Sequence, residues 1–281
     1  MVQQGRVSKE DVMKRRTNLV LELIVRRFWC VLATAMLATF ALVLFMGMGQ
    51  NIWFDENYSI ILAKQPVGEL LRLTGVDAHP PLFYLMLKIW GSIFGWSELA
   101  LRSMSALLAA ATVGIVALLL RRLFTVRVAL VVLPLLIIAP FWLRYGFEVR
   151  MYALAGLIVA LASLVLVKAV ESKTDRRWWV VYGLLVVAGM YTLYMTAVVW
   201  LAHVVWLWAH HRRGGLRRQP WLWTFVAVGV AFVAYVPTLI FQLTHSALPG
   251  IGQRLNLTSI GDIIGQVLVY TPEWSIGSWT A

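Results

Sequence analysis

Residues 28–59 read FWCVLATAMLATFALVLFMGMGQNIWFDENYS. The first part, 28–49, carries no charge. As an α-helix it would be about 33 Å long, enough to cross the ~30 Å hydrocarbon core of a bilayer. Directly behind it come an adjacent acid pair, Asp55 and Glu56, and then His79-Pro80-Pro81. An apolar span that delivers carboxylates to a membrane face sets the reading of everything else. The plain alternative is that Asp55 and Glu56 only cap a surface helix.

The whole chain fits a membrane class. It is 60% hydrophobic and 14% charged, where soluble domains carry about 25% charged residues. The apolar runs are continuous rather than alternating, which argues against a barrel and for helices as the way to satisfy backbone groups in lipid. The expected fold is therefore all-α, a polytopic transmembrane bundle of about seven spans with an outer-face catalytic loop carrying interfacial helices. The net charge of +12 does not point to nucleic acid, because the basic residues fall where topology signals belong. The single cysteine, Cys30, lies inside the first apolar run and can form no internal disulfide. That run is too long and too apolar for a cleaved signal peptide.

Residues 1–27 form a basic segment that the positive-inside rule places in the cytoplasm. The spans then run near 28–49, 99–120, 128–143, 151–170, 178–193, 195–211 and 221–243. Pro134 and Pro140 are expected to kink the third. Residues 178–211 read either as two short spans around Tyr191–Tyr194 or as one long helix. Residues 82–96 are short and interrupted by Lys88, so they read as an interfacial helix. With that helix not crossing, Arg121, Arg122, Arg127, Arg176, Arg177 and the Arg212–Arg218 cluster all fall inside. The outer catalytic loop spans 50–98, and 244–281 reads as an outer loop or the start of a missing C-terminal region.

This topology gathers Asp55, Glu56, His79, Arg102, Arg144, Glu148, Arg150 and Tyr152 on one face. Arg102 lies inside an apolar run, where a charge is expensive without a partner. Acid plus arginine at a lipid–water boundary suits a polyprenyl-phosphate sugar. Arginine binds phosphate bidentately, and a carboxylate can take the proton of an attacking hydroxyl. Each residue also has a structural reading: Arg144 snorkelling, His79 in a turn, Glu148 merely paired with Arg144 or Arg150.

Trp53-Phe54-Asp55-Glu56 with Tyr58, His79-Pro80-Pro81-Leu82, Leu101-Arg102-Ser103 and Tyr145-Gly146-Phe147-Glu148-Val149-Arg150-Met151-Tyr152-Ala153-Leu154 occur in this order. Together they resemble the GT-C superfamily of integral-membrane glycosyltransferases. Within it they resemble the bacterial family-39 type, related to protein O-mannosyltransferases and lipid A aminoarabinose transferases. The resemblance runs over about 50–243. It implies transfer of a sugar from a polyprenyl-phosphate donor to an acceptor hydroxyl on a protein, lipid or glycan, at the extracytoplasmic face of a bacterial plasma membrane. Asp55 would be the base, with Glu56 beside it. Arg102 and Arg150 would lie near the donor phosphate or organise the loops, with Glu148, His79 and Tyr152 in the same loops. In some members such acids bind a divalent metal, which makes Asp55 and Glu148 candidate ligands; others need none. Where the family usually reads Tyr-Ser-Gln-Glu-Ala-Arg, this chain has Gly146, Phe147 and Val149 at three positions. Family members usually continue with further spans. A transporter or lipid flippase, and a non-catalytic remnant, are the rival readings.

Overall fold

The computed structural model describes residues 25–77, 79–172, 175–210 and 220–245. These residues are mostly helical, with no strand among them. The helices are α1 (Phe28–Met48), α2 (Phe54–Lys64), α3 (Val67–Val76), α4 (Leu82–Phe94), α5 (Glu98–Leu123) and α6 (Val126–Ile137). Then follow α7 (Pro140–Tyr145), α8 (Tyr152–Glu171), α9 (Arg177–Met190), α10 (Thr196–His210), α11 (Pro220–Val233) and α12 (Val236–His245). The basic N-terminal segment and nearly all of the tail expected from 244 onward lie outside the described residues.

The membrane part is built on close approach. α1 buries Phe28, Leu32, Ala35, Thr39, Val43 and Gly47 along one stripe. It meets α5, whose buried face is largely small: Ser105, Ala106, Ala109, Ala110, Gly114 and Ala117. Small residues let backbones approach, and in lipid that packing is a main source of helix association. A Cβ on Gly114 would stand 2.7 Å from the Met36 sulfur. α5 packs between α1 and α8, and α8 packs in turn on α9.

A polar clasp holds the next helices. Ser163 on α8 donates its hydroxyl proton to the Val159 carbonyl (2.8 Å). It can therefore only accept from His203 Nε2 on α10, 3.2 Å away. That fixes the tautomer and leaves His203 Nδ1 to accept from the Tyr182 hydroxyl on α9, at 3.0 Å. His203 thus has a hydrogen-bond partner on each ring nitrogen, as a buried polar group must.

Among the described residues, four helical segments are long and apolar enough to span a membrane: 28–48, 98–123, 126–145 and 152–171. The pair α11 and α12 makes a fifth if counted as one bent span. The expected total of seven is not reached on length, because α9 and α10 have 14 and 15 residues. Three local expectations are resolved. Of the stretch 178–211, the described residues to 210 form two helices, not one. The span expected at 128–143 runs from 126 to 145 and breaks where Pro140 opens α7. The span expected at 221–243 bends by 65° between α11 and α12. Pro237 in the first turn of α12 cannot donate the hydrogen bond that would continue α11. Gln242 then ties α12 to the Thr74 carbonyl of α3 at 2.7 Å.

The polar region 50–98 folds as α2, α3 and α4. α4 buries Phe83, Tyr84, Leu87 and Gly91 and is too short to cross. Lys88, which interrupts its apolar pattern, caps α2. Its ammonium donates to the Gln65 carbonyl (2.8 Å) and the Ala63 carbonyl (3.4 Å), at the helix end where a cation is favoured. Trp90 Nε1 donates to the Ala100 carbonyl (2.7 Å), tying α4 to α5. The ends of α1, α5 and α8 thereby meet α2 at one end of the bundle. There Gly47 is a close-approach position: a Cβ would lie 2.7 Å from the Phe147 Cβ and 3.3 Å from the Arg102 Cδ. Overpacking of this kind costs about 1–3 kcal/mol. Gly47→Leu is expected to lower the melting temperature in detergent and to reduce activity together; an unchanged melting temperature would contradict the close contact.

Candidate active site

Asp55 and Glu56 lie in the first turn of α2, where the helix N-terminus favours negative charge. Neighbours on a helix point about 100° apart, so the two carboxylates take different surroundings. The Glu56 side chain is 1% exposed and that of Asp55 36%.

Glu56 is enclosed by donors from three segments. Its Oε1 accepts from the Val149 backbone N–H at 2.9 Å. Its Oε2 accepts from the Trp53 N–H at 3.3 Å and from Arg102 Nη2 at 3.4 Å. Arg102 is fully buried, with Nε 3.2 Å from Glu98 Oε1, one turn earlier on α5. Its guanidinium lies 5.5 Å from the Phe147 ring centre. A cation in this apolar end of α5 is held by two carboxylates and a ring face.

Asp55 is held from one side. Arg150 Nη2 stands 3.6 Å from Asp55 Oδ2, and Nη1 reaches the Asp55 carbonyl (3.4 Å) and Ser59 Oγ (3.3 Å). Ser59 donates its own proton to the Asp55 carbonyl at 2.9 Å. One carboxylate edge is thus fixed while the group keeps access to solvent.

The segment 146–151 between α7 and α8 joins the helical ladders only at its ends, through the Gly146 N–H to the Trp142 carbonyl and the Met151 carbonyl to the Ala155 N–H, yet every residue in it is buried. Side chains replace the missing ladder: Ser105 donates to the Glu148 carbonyl at 2.7 Å, and Glu56 receives the Val149 N–H. The Glu148 side chain is 1% exposed and pairs through Oε1 with Arg144 Nη1 at 3.0 Å. Its Oε2 has no hydrogen-bond partner among the described residues, and the same holds for Arg102 Nη1 and Arg150 Nε. Burial pushes the Glu148 carboxyl up to about 7; Arg144 opposes the rise, Glu56 and Asp55 add to it, and Arg150 works against it. Within this group four carboxylates (Asp55, Glu56, Glu98, Glu148) face three guanidiniums (Arg102, Arg144, Arg150).

Tyr152 opens α8 beside Arg150, within range of Glu148 and Asp55, with its ring edge-on to Tyr145 at 5.2 Å. His79 sits apart from this core: its Nδ1 is 3.5 Å from Asp77 Oδ2, the oxygen that also receives the Tyr84 hydroxyl at 3.3 Å. Tyr58 links the two regions electrostatically. Burial and the Asp77 charge raise its phenol, while Arg150 lowers it. Asp55, Glu56, Arg102, Glu148, Arg150 and Tyr152 therefore converge, and His79 belongs to a neighbouring group.

The sequence reading passed over Asp77, Ser59, Glu98 and Ser105. Ser59 stands four residues after Asp55 and Glu98 four before Arg102, on the same helix faces, so spacing could have found both. Ser105 binds a loop 43 residues away, which no local pattern reveals. As for a metal, Asp55 and Glu148 each face an arginine. Among the described residues no three His, Cys, Asp or Glu side chains gather to hold an ion.

A family model described as dolichyl-phosphate-mannose-protein mannosyltransferase matches residues 78–241. It covers His79, Arg102, Glu148, Arg150 and Tyr152 and begins after the acid pair. No curated protein and no solved structure matches the chain.

Two outcomes are expected. Glu56→Gln leaves Arg102 with a weakened partner in an apolar site, where breaking a buried pair costs about 3–5 kcal/mol; the melting temperature should fall clearly, and an unchanged one would contradict the buried pairing. Glu148 binds its proton more tightly folded than unfolded. Its contribution to stability is complete below the ordinary glutamate range and is lost as pH rises through about 7. Melting curves from pH 4 to 8 should show this loss in the wild type, and the loss should be absent in Glu148→Gln.

Proposed function

The chain belongs to the dolichyl-phosphate-mannose-protein mannosyltransferase family, and on that premise we propose that it moves a sugar from a polyprenyl-phosphate carrier to a hydroxyl of an acceptor protein. The family makes it a membrane glycosyltransferase. The observation that carries the finer reading is the unequal treatment of the acid pair. Glu56 is enclosed and fully engaged, whereas Asp55 is held by Arg150 on one side and open on the other.

In this reading Asp55 is the base. The acceptor oxygen forms a bond to the anomeric carbon and its proton passes to Asp55. The bond between the anomeric carbon and the phosphate oxygen breaks, and its electron pair leaves with the polyprenyl phosphate. Positive groups near the leaving phosphate stabilise its growing charge. Glu56 and Arg102 touch no substrate; they fix the turn that presents Asp55.

The working face is proposed to be extracytoplasmic, in a bacterial plasma membrane. α5 enters at the site end with Arg102 and finishes with Arg121 and Arg122. Arg176 and Arg177 lie where α9 begins, which the return path of α8 puts at the same far end. Several basic residues at the far end support its placement in the cytoplasm.

The test offers purified, reconstituted protein a panel of polyprenyl-phosphate sugars, with donor consumption followed by mass spectrometry. Wild type should consume a donor. Asp55→Asn should lose about 10²–10⁴ in rate, the scale of general-base help, with an unchanged melting temperature. Full activity in Asp55→Asn would overturn the assignment of the base.

A further inference from the structure

We propose that Arg144 is the residue that takes the carrier phosphate of the donor, and that it does so by exchanging Glu148 for the phosphate. This rests on the reading of the chain as a polyprenyl-phosphate-dependent transferase.

The three arginines of the site are not equivalent. Arg102 is fully enclosed, between Glu56, Glu98 and the Phe147 ring. Arg150 is 4% exposed and occupied by Asp55 and Ser59. A phosphate could reach either only after those contacts were taken apart. Arg144 keeps 52% of its side chain exposed and commits only Nη1, to one oxygen of Glu148. A guanidinium carries five N–H donors in a planar fork, so the rest of the fork is open for two parallel bonds to a phosphate. Its position suits the carrier as well. Arg144 closes the apolar segment 126–145, only 17% of which is buried inside the protein. Val131, Leu135, Ile138 and Phe141 are exposed along it at helical spacing, ending at the Phe141–Tyr145 ring contact beside Arg144. A carrier's apolar chain can lie along that stripe with its phosphate at the arginine.

Glu148 then acts as a competitor built into the site. It offers Arg144 one oxygen, holds the other without a partner, and gives the guanidinium up when a ligand offers two. Removing the competitor should tighten phosphate binding, and removing the arginine should weaken it. A merely structural pair would not show this opposite pattern, since breaking it from either side would have the same sign. Arg144 is a binding residue in this account, and Glu148 sets its affinity.

The experiment measures binding of undecaprenyl phosphate and of undecaprenol, the same chain without phosphate, to the full chain by native mass spectrometry. Melting temperatures are recorded for each variant. Wild type should prefer the phosphate. Arg144→Gln should lose that preference by at least about tenfold, the scale of a charge-assisted contact, with undecaprenol binding unchanged. Arg144→Lys should keep part of it, having the charge without the fork. Glu148→Gln should bind the phosphate more tightly than wild type, and the double variant should match Arg144→Gln. Wild-type preference retained in Arg144→Gln overturns this proposal alone, as does weaker binding in Glu148→Gln. A wild type indifferent to the phosphate overturns the transferase reading beneath it, and this proposal with it.

Discussion

The enclosed carboxylate of Glu56 is the contact on which this end of the molecule depends. Through it α2, α5 and the segment 146–151 are joined by hydrogen bonds to Trp53, Arg102 and Val149. None of the three segments could be buried alone. The carboxylate would lack a countercharge, Arg102 would be a bare cation at the end of an apolar helix, and the Val149 N–H would lack an acceptor. Each is costly away from water, and together they satisfy one another. The arrangement ties residues 46 and 93 positions apart to a single group, so it forms only when the bundle does.

From that contact follows the division of work between two adjacent acids. The helix turn that turns Glu56 inward necessarily turns Asp55 away, toward Arg150 and solvent. Rigidity beneath and access above are what a proton-accepting group needs, because its geometry must be set before the acceptor arrives. The same economy governs segment 146–151. Between its ends it gives up its own backbone ladder, and Ser105 and Glu56 satisfy it from outside, so Glu148 and Arg150 stand where a helix would not have placed them. The histidine inside the bundle, His203, is locked between Ser163 and Tyr182.

Much of this could be read from the residues in order. Uninterrupted apolar runs dictate helices in lipid, and the acid pair behind the first run, Arg102 near the start of α5 and the Glu148–Arg150 segment pointed to one another through topology. What could not be read was set by distant contacts. The bend between α11 and α12 follows from Pro237, but its direction depends on Gln242 finding Thr74, 168 positions away. Lys88 looked like a break in an apolar helix because the carbonyls it caps belong to α2. Arg102, Arg144 and Arg150 look alike as letters; only packing separates the two enclosed ones from the half-exposed one. Asp77 was passed over because its meaning comes from Tyr84 and His79, which reach the same oxygen.

The central claim is that two neighbouring carboxylates are divided into a buried brace and an open working group. A structure of the protein with a non-transferable polyprenyl-phosphate sugar bound tests it most directly. The account places Asp55 on the acceptor side of the anomeric carbon, with Glu56 still enclosed by Arg102 and the Val149 N–H. A sugar seated against Glu56, or one bound at a distance from Asp55, would contradict it.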